Sequence, residues 1–541
     1  QHDIAHMTLD THGNLVADSE AQLPVNWLYR RGYVGSNGLF GTSQGKEIAS
    51  TAWWIDFSNF FEGIGAMGGG NVTLNAGNNV SNVDVVIPTT GRMAGQVATT
   101  RQAIAPDAAN LLELGGGDLT VKAGKDIDAG VYYVERGHGT LTAGGSIITN
   151  STRSPSLDAG LAQFLGVNIK TDSNTWLPTT LFVGKGSFDI NARGSVLLGP
   201  VSNPFMLPGG FSNTFWYKTY FNTYGADDAI NVTSLGGTIT MRTEATIGNT
   251  GDPNGSSSPT PLLQAWFQNV LLFNVNGAAG NDSAYEPWLR LDEASVSAFN
   301  TVSSIMPPTL RLTAFSGDIN VVGNLTLFPS PTGNLSLAAS GSINALQPTG
   351  LTKVALATAI AWSGSVINLS DTNPANIPGI ASPFAYQGLS GTTIGPGGIN
   401  NSDFNNSDFL SFIATYFGET GSSTGRAGII QTKTNLHDPN ILHLDDPNPV
   451  QLFAVNGDIS GLTLFSGKFT QVAAGQDITD VSLYIQNVRS TDVSFVSAGR
   501  DIVTYDPNSA LRLAGQASGN VLEPLTYGLF VNLPQSLMAG G

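Results

Sequence analysis

The residues best able to do chemistry gather in three short strings. RGHG (136–139) presents His138, and GADDAINV (225–232) presents the adjacent carboxylates Asp227 and Asp228. An imidazole and two carboxylates are the raw material of general acid–base hydrolysis of a glycosidic bond, which needs carboxyl groups held at fixed separations. HDPNILHLDDPNP (437–449) concentrates His437, Asp438, His443, Asp445 and Asp446, a nitrogen and oxygen donor set suited to a divalent metal. Its histidine spacing fits no helical or zinc-type pattern, and its prolines describe a solvated connection, so no metal is assigned. GAAGNDSAY (277–285) has the look of one turn of a calcium-binding roll, but that device binds between successive turns and one copy holds half the ligands. No Gly-rich tract is followed by Lys-Ser or Lys-Thr, so none is a phosphate loop.

The remaining candidate surface is aromatic. Within FSNTFWYKTYFNTY (211–224), Trp216, Tyr217, Tyr220 and Phe221 would form a contact face for sugar or protein, since aromatic rings dominate binding hot spots. The alternative for this run is cover for the flank of the molecule. Trp53 and Trp54 raise the same choice near the amino end.

Composition says what must position these groups. In 541 residues there are 65 Gly, no Cys, and charged residues are only 12% of the chain. A globular protein carries about 25% charged residues, and the Val, Ile, Thr, Asn and Ser that replace them favour strands. The absence of Cys removes disulfides, thiolate zinc sites and a thiol nucleophile together. A net charge of −17 with 23 Lys and Arg leaves no basic stripe for nucleic acid. No apolar run is long enough for a membrane helix, and Gln1 is not followed by a basic and apolar leader, which suggests a processed or excised piece.

One phrase recurs: a Gly beside Asp, Asn or Ser, then Ile or Val alternating with polar residues, then Ala-Gly and the same again. The fullest copies are GGGNVTLNAGNNVSNVDVVI (68–87), GGGDLTVKAGKDIDAGVYYV (115–134) and AGQDITDVSLYI (474–485). Each is a pair of short period-two strands about a Gly corner, with Leu119, Val121, Ile127 and Val131 on one face. Gly124 to Gly144 spans about 20 residues, Gly475 to Gly499 about 24, and Gly77 to Gly124 about 47, the spacing of stacked coils rather than hairpins. The predicted fold is all-β: a right-handed parallel β-helix, or solenoid, over 65–505, with loop and short helical insertions at about 151–180, 204–230, 250–308 and 350–450. Residues 1–64 read as an irregular amino-terminal segment and 506–541 as a carboxy-terminal one continuing into a longer parent. LLQAWFQNVLLF (262–273) and FLSFIATYF (409–417) read as helical.

The AGxDI phrase after GGDLTVxAG, carried by Gly117, Asp118, Leu119, Ala123, Gly124, Asp126 and Ile127 and again by Ala474, Gly475, Asp477 and Ile478, resembles the repeat of filamentous haemagglutinin-like exoproteins of two-partner secretion. Ala498, Gly499, Asp501 and Ile502, and the entry FFEGIGAMGGGNVTL (60–74), resemble that family too. The resemblance implies a secreted or cell-surface bacterial shaft serving adhesion, biofilm formation or contact-dependent interaction, without cofactors. Its implied partners are a surface receptor or glycan and an outer-membrane export protein, and end-to-end self-association is open to it. The family's export motif is of the NPNG type; here only DPNG (252–255) is near it, in mid-chain, and no RGD appears. The chain is therefore read as non-enzymatic. The alternative is a polysaccharide-degrading β-helix: polygalacturonases carry an Asp pair and a GHG, but there the Asp pair precedes the His, the reverse of Asp227, Asp228 and His138. A self-assembling filament subunit is the other alternative.

Overall fold

In a computed structural model the described residues are 63–93, 111–149, 178–206, 223–245, 304–354, 357–374 and 440–509, with short pieces before residue 56 and at 260–263, Arg512 and 536–540. They are nearly all strand, and a long parallel sheet curls almost closed on itself. Of the two segments read as helical, Leu262 and Leu263 are helical, and the remainder of both lies outside the described residues.

Three parallel faces make up the coils, the later strands of the third face forming a sheet of their own. The first runs through strands Val72–Ala76, Leu119–Ala123, the end of Val131–Ala143, the end of Thr179–Ala192, Ala229–Ser234, Thr309–Ala314, Asn334–Ala339, Val450–Ala454, Thr470–Ala474 and Phe495–Ala498. Counting these as coils 1 to 10, the second face is a matching run of short strands from Val80–Ser81 to Ile502–Val503. The third face forms in two runs, Ile64–Gly65 to Val196–Ser202, and Ile305–Met306 to Ser536–Gly540. Val131–Ala143 and Thr179–Ala192 each turn a corner, ending one coil on the third face and beginning the next on the first.

Period-two alternation explains the core. On Leu119–Ala123 the residues Leu119, Val121 and Ala123 point inward and are buried, as are Leu452 and Ala454 on Val450–Ala454. Each large aliphatic side chain so buried contributes about 1.5–3 kcal/mol. The inward residue before the first corner is small in every coil, Ala76, Ala123, Ala143, Ala192, Ser234, Ala314, Ala339, Ala454, Ala474 and Ala498, because the apex is narrow. The residue opening the second strand is always Val or Ile, from Val80 to Ile502.

The first corner is built for stacking. A Cβ on Gly124, Gly144 or Gly499 would run into the carbonyl oxygen of Gly77, Gly124 or Gly475 in the coil before. One residue per coil then forms a ladder. The backbone N–H of Asp126 donates to Asn79 Oδ1 (3.1 Å), Ser146 to Asp126 Oδ1 (2.6 Å), Ser195 to Ser146 Oγ (3.1 Å) and Thr238 to Ser195 Oγ (3.2 Å). Asp318 donates to Thr238 Oγ1 (3.3 Å), Ser342 to Asp318 Oδ1 (2.7 Å), Asp458 to Ser342 Oγ (3.1 Å), Asp477 to Asp458 Oδ1 (2.9 Å) and Asp501 to Asp477 Oδ1 (3.0 Å). Rungs lie 20 residues apart between Asp126 and Ser146, 80 between Thr238 and Asp318, and 116 between Ser342 and Asp458. Long stretches therefore leave and rejoin the coils at the other two corners, never at this one.

Part of the amino-terminal segment forms a separate antiparallel sheet, Leu111–Gly115, Thr89–Met93, Ala52–Ile55, Tyr29–Val34 and Phe40–Gly41 in that order. Trp53 fastens it to the flank: it is fully buried, donates Nε1–H to Thr89 Oγ1 (3.2 Å) and meets Phe205 edge-on at 5.9 Å. Ser365–Leu369, inside the stretch read from sequence as insertion 350–450, is the third-face strand of coil 7.

Candidate functional site

The titratable residues collect at the corner where the third face passes into the first. In-register pairing sets Arg136 beside Lys185 and His138 beside Ser187, with Ala229 one coil further on. Because alternate residues share a face, Ser187 and Asp189 both point outward and His138 spans them. Its Nδ1 lies 2.8 Å from Ser187 Oγ and its Nε2 3.1 Å from Asp189 Oδ2. The chain continues across the coils: Asn231 Nδ2 donates to Asp189 Oδ1 (2.8 Å), and Arg311 Nη1 donates to Asn231 Oδ1 (3.2 Å).

A hydroxyl, an imidazole and a carboxylate in hydrogen-bond sequence are the parts of a nucleophilic centre. The part that stabilises the transition state is missing among the described residues. The strand holding Ser187 and Asp189 is paired on both sides, so its amides serve the parallel ladders and no two converge on an oxyanion. The His138 and Asp189 side chains are also 42% and 44% exposed, which leaves water in contact with both.

Asp227 and Asp228, remote from His138 in sequence, sit at the same corner in coil 5, two coils on. They hold the turn. Asp228 Oδ2 accepts from Gly225 N–H (2.5 Å), and its carboxyl also accepts from the Gly186 amide; burial pushes its pKa up to about 6. Asp227 Oδ1 accepts from Thr332 Oγ1–H (3.1 Å).

Nothing in the sequence pattern pointed to Glu135. It follows the third-face strand of coil 2, is 1% exposed, and accepts from Tyr133 O–H at 2.6 Å while Oε1 has no partner. Burial holds its carboxyl well above the usual range. Next to it Arg136 pairs with Glu113 of the antiparallel sheet at 3.1 Å.

The same corner in coils 7 to 9 contains the carboxy-terminal half of the metal candidate. His443 is fully buried, and burial lowers its pKa to about 4, with the Lys468 charge adding to the effect. Asp446 is buried against the ammonium of Lys468 at 2.5 Å, while Asp445 is exposed; His437 and Asp438 lie outside the described residues. No group of three potential metal ligands forms among the described residues. A second buried pair closes coil 9: Arg512 Nη1 and Nη2 donate to Asp480 Oδ2 (2.7 Å) and Oδ1 (2.9 Å), with the guanidinium 4.2 Å from the Tyr505 ring centre.

The aromatic contact residues Trp216, Tyr217, Tyr220 and Phe221 lie outside the described residues. The last member of that run, Tyr224, is buried on the flank, donating O–H to the Ile305 carbonyl (3.0 Å) and meeting Phe328 edge-on at 5.5 Å. No helix among the described residues is long and apolar enough to cross a membrane. No family model matches the chain, and no curated protein or solved structure matches it either.

Proposed function

We propose that this chain is a shaft segment of a secreted or cell-surface bacterial fibre, a right-handed parallel β-helix of the filamentous haemagglutinin type. The observation that carries the reading is the first-corner ladder, unbroken through ten coils whatever the length of chain between its rungs. Such a ladder gives the molecule length and stiffness, and the stretches emerging from the other two corners are free to make specific contacts. Recognition of a surface receptor or glycan is assigned to these stretches, with Trp216, Tyr217, Tyr220 and Phe221 as the first residues to test. Export through an outer-membrane partner belongs to the same reading.

Electron microscopy of the purified chain tests the shaft. Ten coils at about 4.8 Å each predict a rod about 45 Å long within the particle. A spherical particle without a linear repeat would sink it. For adhesion, replacing the four aromatic residues together with Ala is expected to abolish binding to the target surface and leave the β-structure spectrum unchanged.

A second reading, hydrolysis of ester groups on a polysaccharide, is favoured only by the Ser187, His138 and Asp189 arrangement. Release of acetate or methanol from an esterified polysaccharide, lost in His138→Ala, would support it.

A further inference from the structure

Lys468 is the only buried lysine among the described residues, and its surroundings do more than neutralise it. Its side chain is 0% exposed and that of Asp446 is 3% exposed, with Nζ and Oδ2 in contact at 2.5 Å. Nζ also donates to the Gly333 carbonyl (2.9 Å). The lysine backbone is pinned from both sides, its carbonyl accepting from Ser466 Oγ (2.8 Å) and Thr470 Oγ1 (3.1 Å). The two oxygens of Asp446 are not equivalent: Oδ1 accepts from Asn448 N–H (2.9 Å) and Nδ2–H (3.0 Å), while Oδ2 faces the amine.

We propose that Asp446 and Lys468 become joined by an intramolecular isopeptide bond in the folded protein. The reaction is a dehydration that needs no oxidant or co-reactant. A proton passes from the ammonium to the carboxylate within the pair, leaving a neutral amine and a carboxylic acid. Nζ then attacks Cγ. Negative charge develops on Oδ1, where the two Asn448 donors already point, as hydrogen-bond donors do in an oxyanion hole. Oδ2 takes up one of the two remaining amine protons and leaves as water while the other stays on the amide nitrogen, so the Nζ–Cγ bond forms and the Cγ–Oδ2 bond breaks. Burial penalises both ions, and although Lys468 and Asn448 hold Asp446 as the carboxylate, that penalty lowers the cost of the proton transfer that starts the reaction. It also shields the amide product from hydrolysis.

His443, kept neutral by burial, packs beside the pair. Its ring lies against Gly467, the neighbour of Lys468, where an added Cβ would come within 3.3 Å of Cδ2. Nε2 is buried without a hydrogen-bond partner.

The link would close a covalent ring around coil 8, since its ends are 22 residues apart. That ring stands where the chain rejoins the coils after the widest gap in the ladder, 116 residues. A protein with no cysteine would thereby possess a staple that reducing agents do not open.

Intact-mass measurement of the full chain, after folding and then denaturation, tests this directly. The expected mass is one water below that of the sequence, with a branched proteolytic peptide joining residues 446 and 468. Lys468→Arg, which keeps the charge, and Asp446→Ala are each expected to restore the full mass. A folded wild-type chain that keeps its full sequence mass on prolonged incubation, or a branch mapping to any other pair, overturns the proposal.

Discussion

The corner between the third and first faces buries acids in two places and treats them oppositely. In coils 2 to 5, Glu135 and Asp228 are buried without a contacting cation, and both carboxyls are pushed above the ordinary range. In coils 7 to 9, Asp446 is buried against Lys468, and the ammonium and Asn448 hold it below that range despite the opposing effect of burial. The backbone setting is shared. Desolvation alone therefore does not fix the charge state of a corner acid; the side chain stacked on it from the neighbouring coil does.

The largest test of that contrast is Lys468→Met, which leaves Asp446 buried without its cation. A cost of about 3–5 kcal/mol is expected, read as lost hydrogen-exchange protection in coils 8 and 9. Protection in coils 2 to 5 should not change, because each coil contacts only its neighbours. A uniform loss along the molecule would break the comparison.

Next in size is pH. Glu135 has a raised folded pKa, so its stabilising contribution is complete below the ordinary value of 4.5 and is lost as pH rises through the folded value. His443 behaves in the opposite sense: its folded pKa is lowered from 6.5 to about 4, so stability is present above 6.5 and is lost as pH falls toward 4. Glu135→Gln is expected to flatten the pH dependence of local stability in coils 2 and 3 and to stabilise them by about 1–3 kcal/mol at neutral pH. A variant as pH-dependent as the parent there would show that Glu135 is not the titrating group.

The smallest effect belongs to the exposed hydrogen-bonded chain on the solvent side of this corner. His138→Ala should cost no more than about 1 kcal/mol in thermal unfolding, since half-exposed polar contacts contribute little. A larger loss would make the Ser187, His138, Asp189 and Asn231 chain a structural element comparable with the buried pair.

The first corner was legible from sequence because its requirements are local. Gly124, Gly144, Gly475 and Gly499 face a carbonyl one coil away, and Asp126 and Asp477 offer an oxygen at a fixed offset, so the AGxDI phrase repeats. Where Ser195, Thr238 or Ser342 takes the same place the hydroxyl accepts the same hydrogen bond, and the phrase fades although the geometry does not. The third face was harder to read. Its strands carry no fixed polar residue, and Ser365–Leu369 follows a hairpin that separates it from the rest of coil 7. His138 with Ser187, and Lys468 with Asp446, were not legible as pairs because each depends on which residues the stacking brings level. In isolation Lys468 reads as an ordinary turn residue after LTLFSG.

The spread of rung intervals, from 19 to 116 residues, has a thermodynamic side. Loop-closure entropy grows only with the logarithm of length, so the widest interval costs about 1.5 kcal/mol more than the narrowest. That is about the worth of one or two hydrogen-bonded rungs. A coil can thus carry a whole domain's length of extra chain for the stability of a single corner, and the rod and its ornaments are free to diverge at different rates.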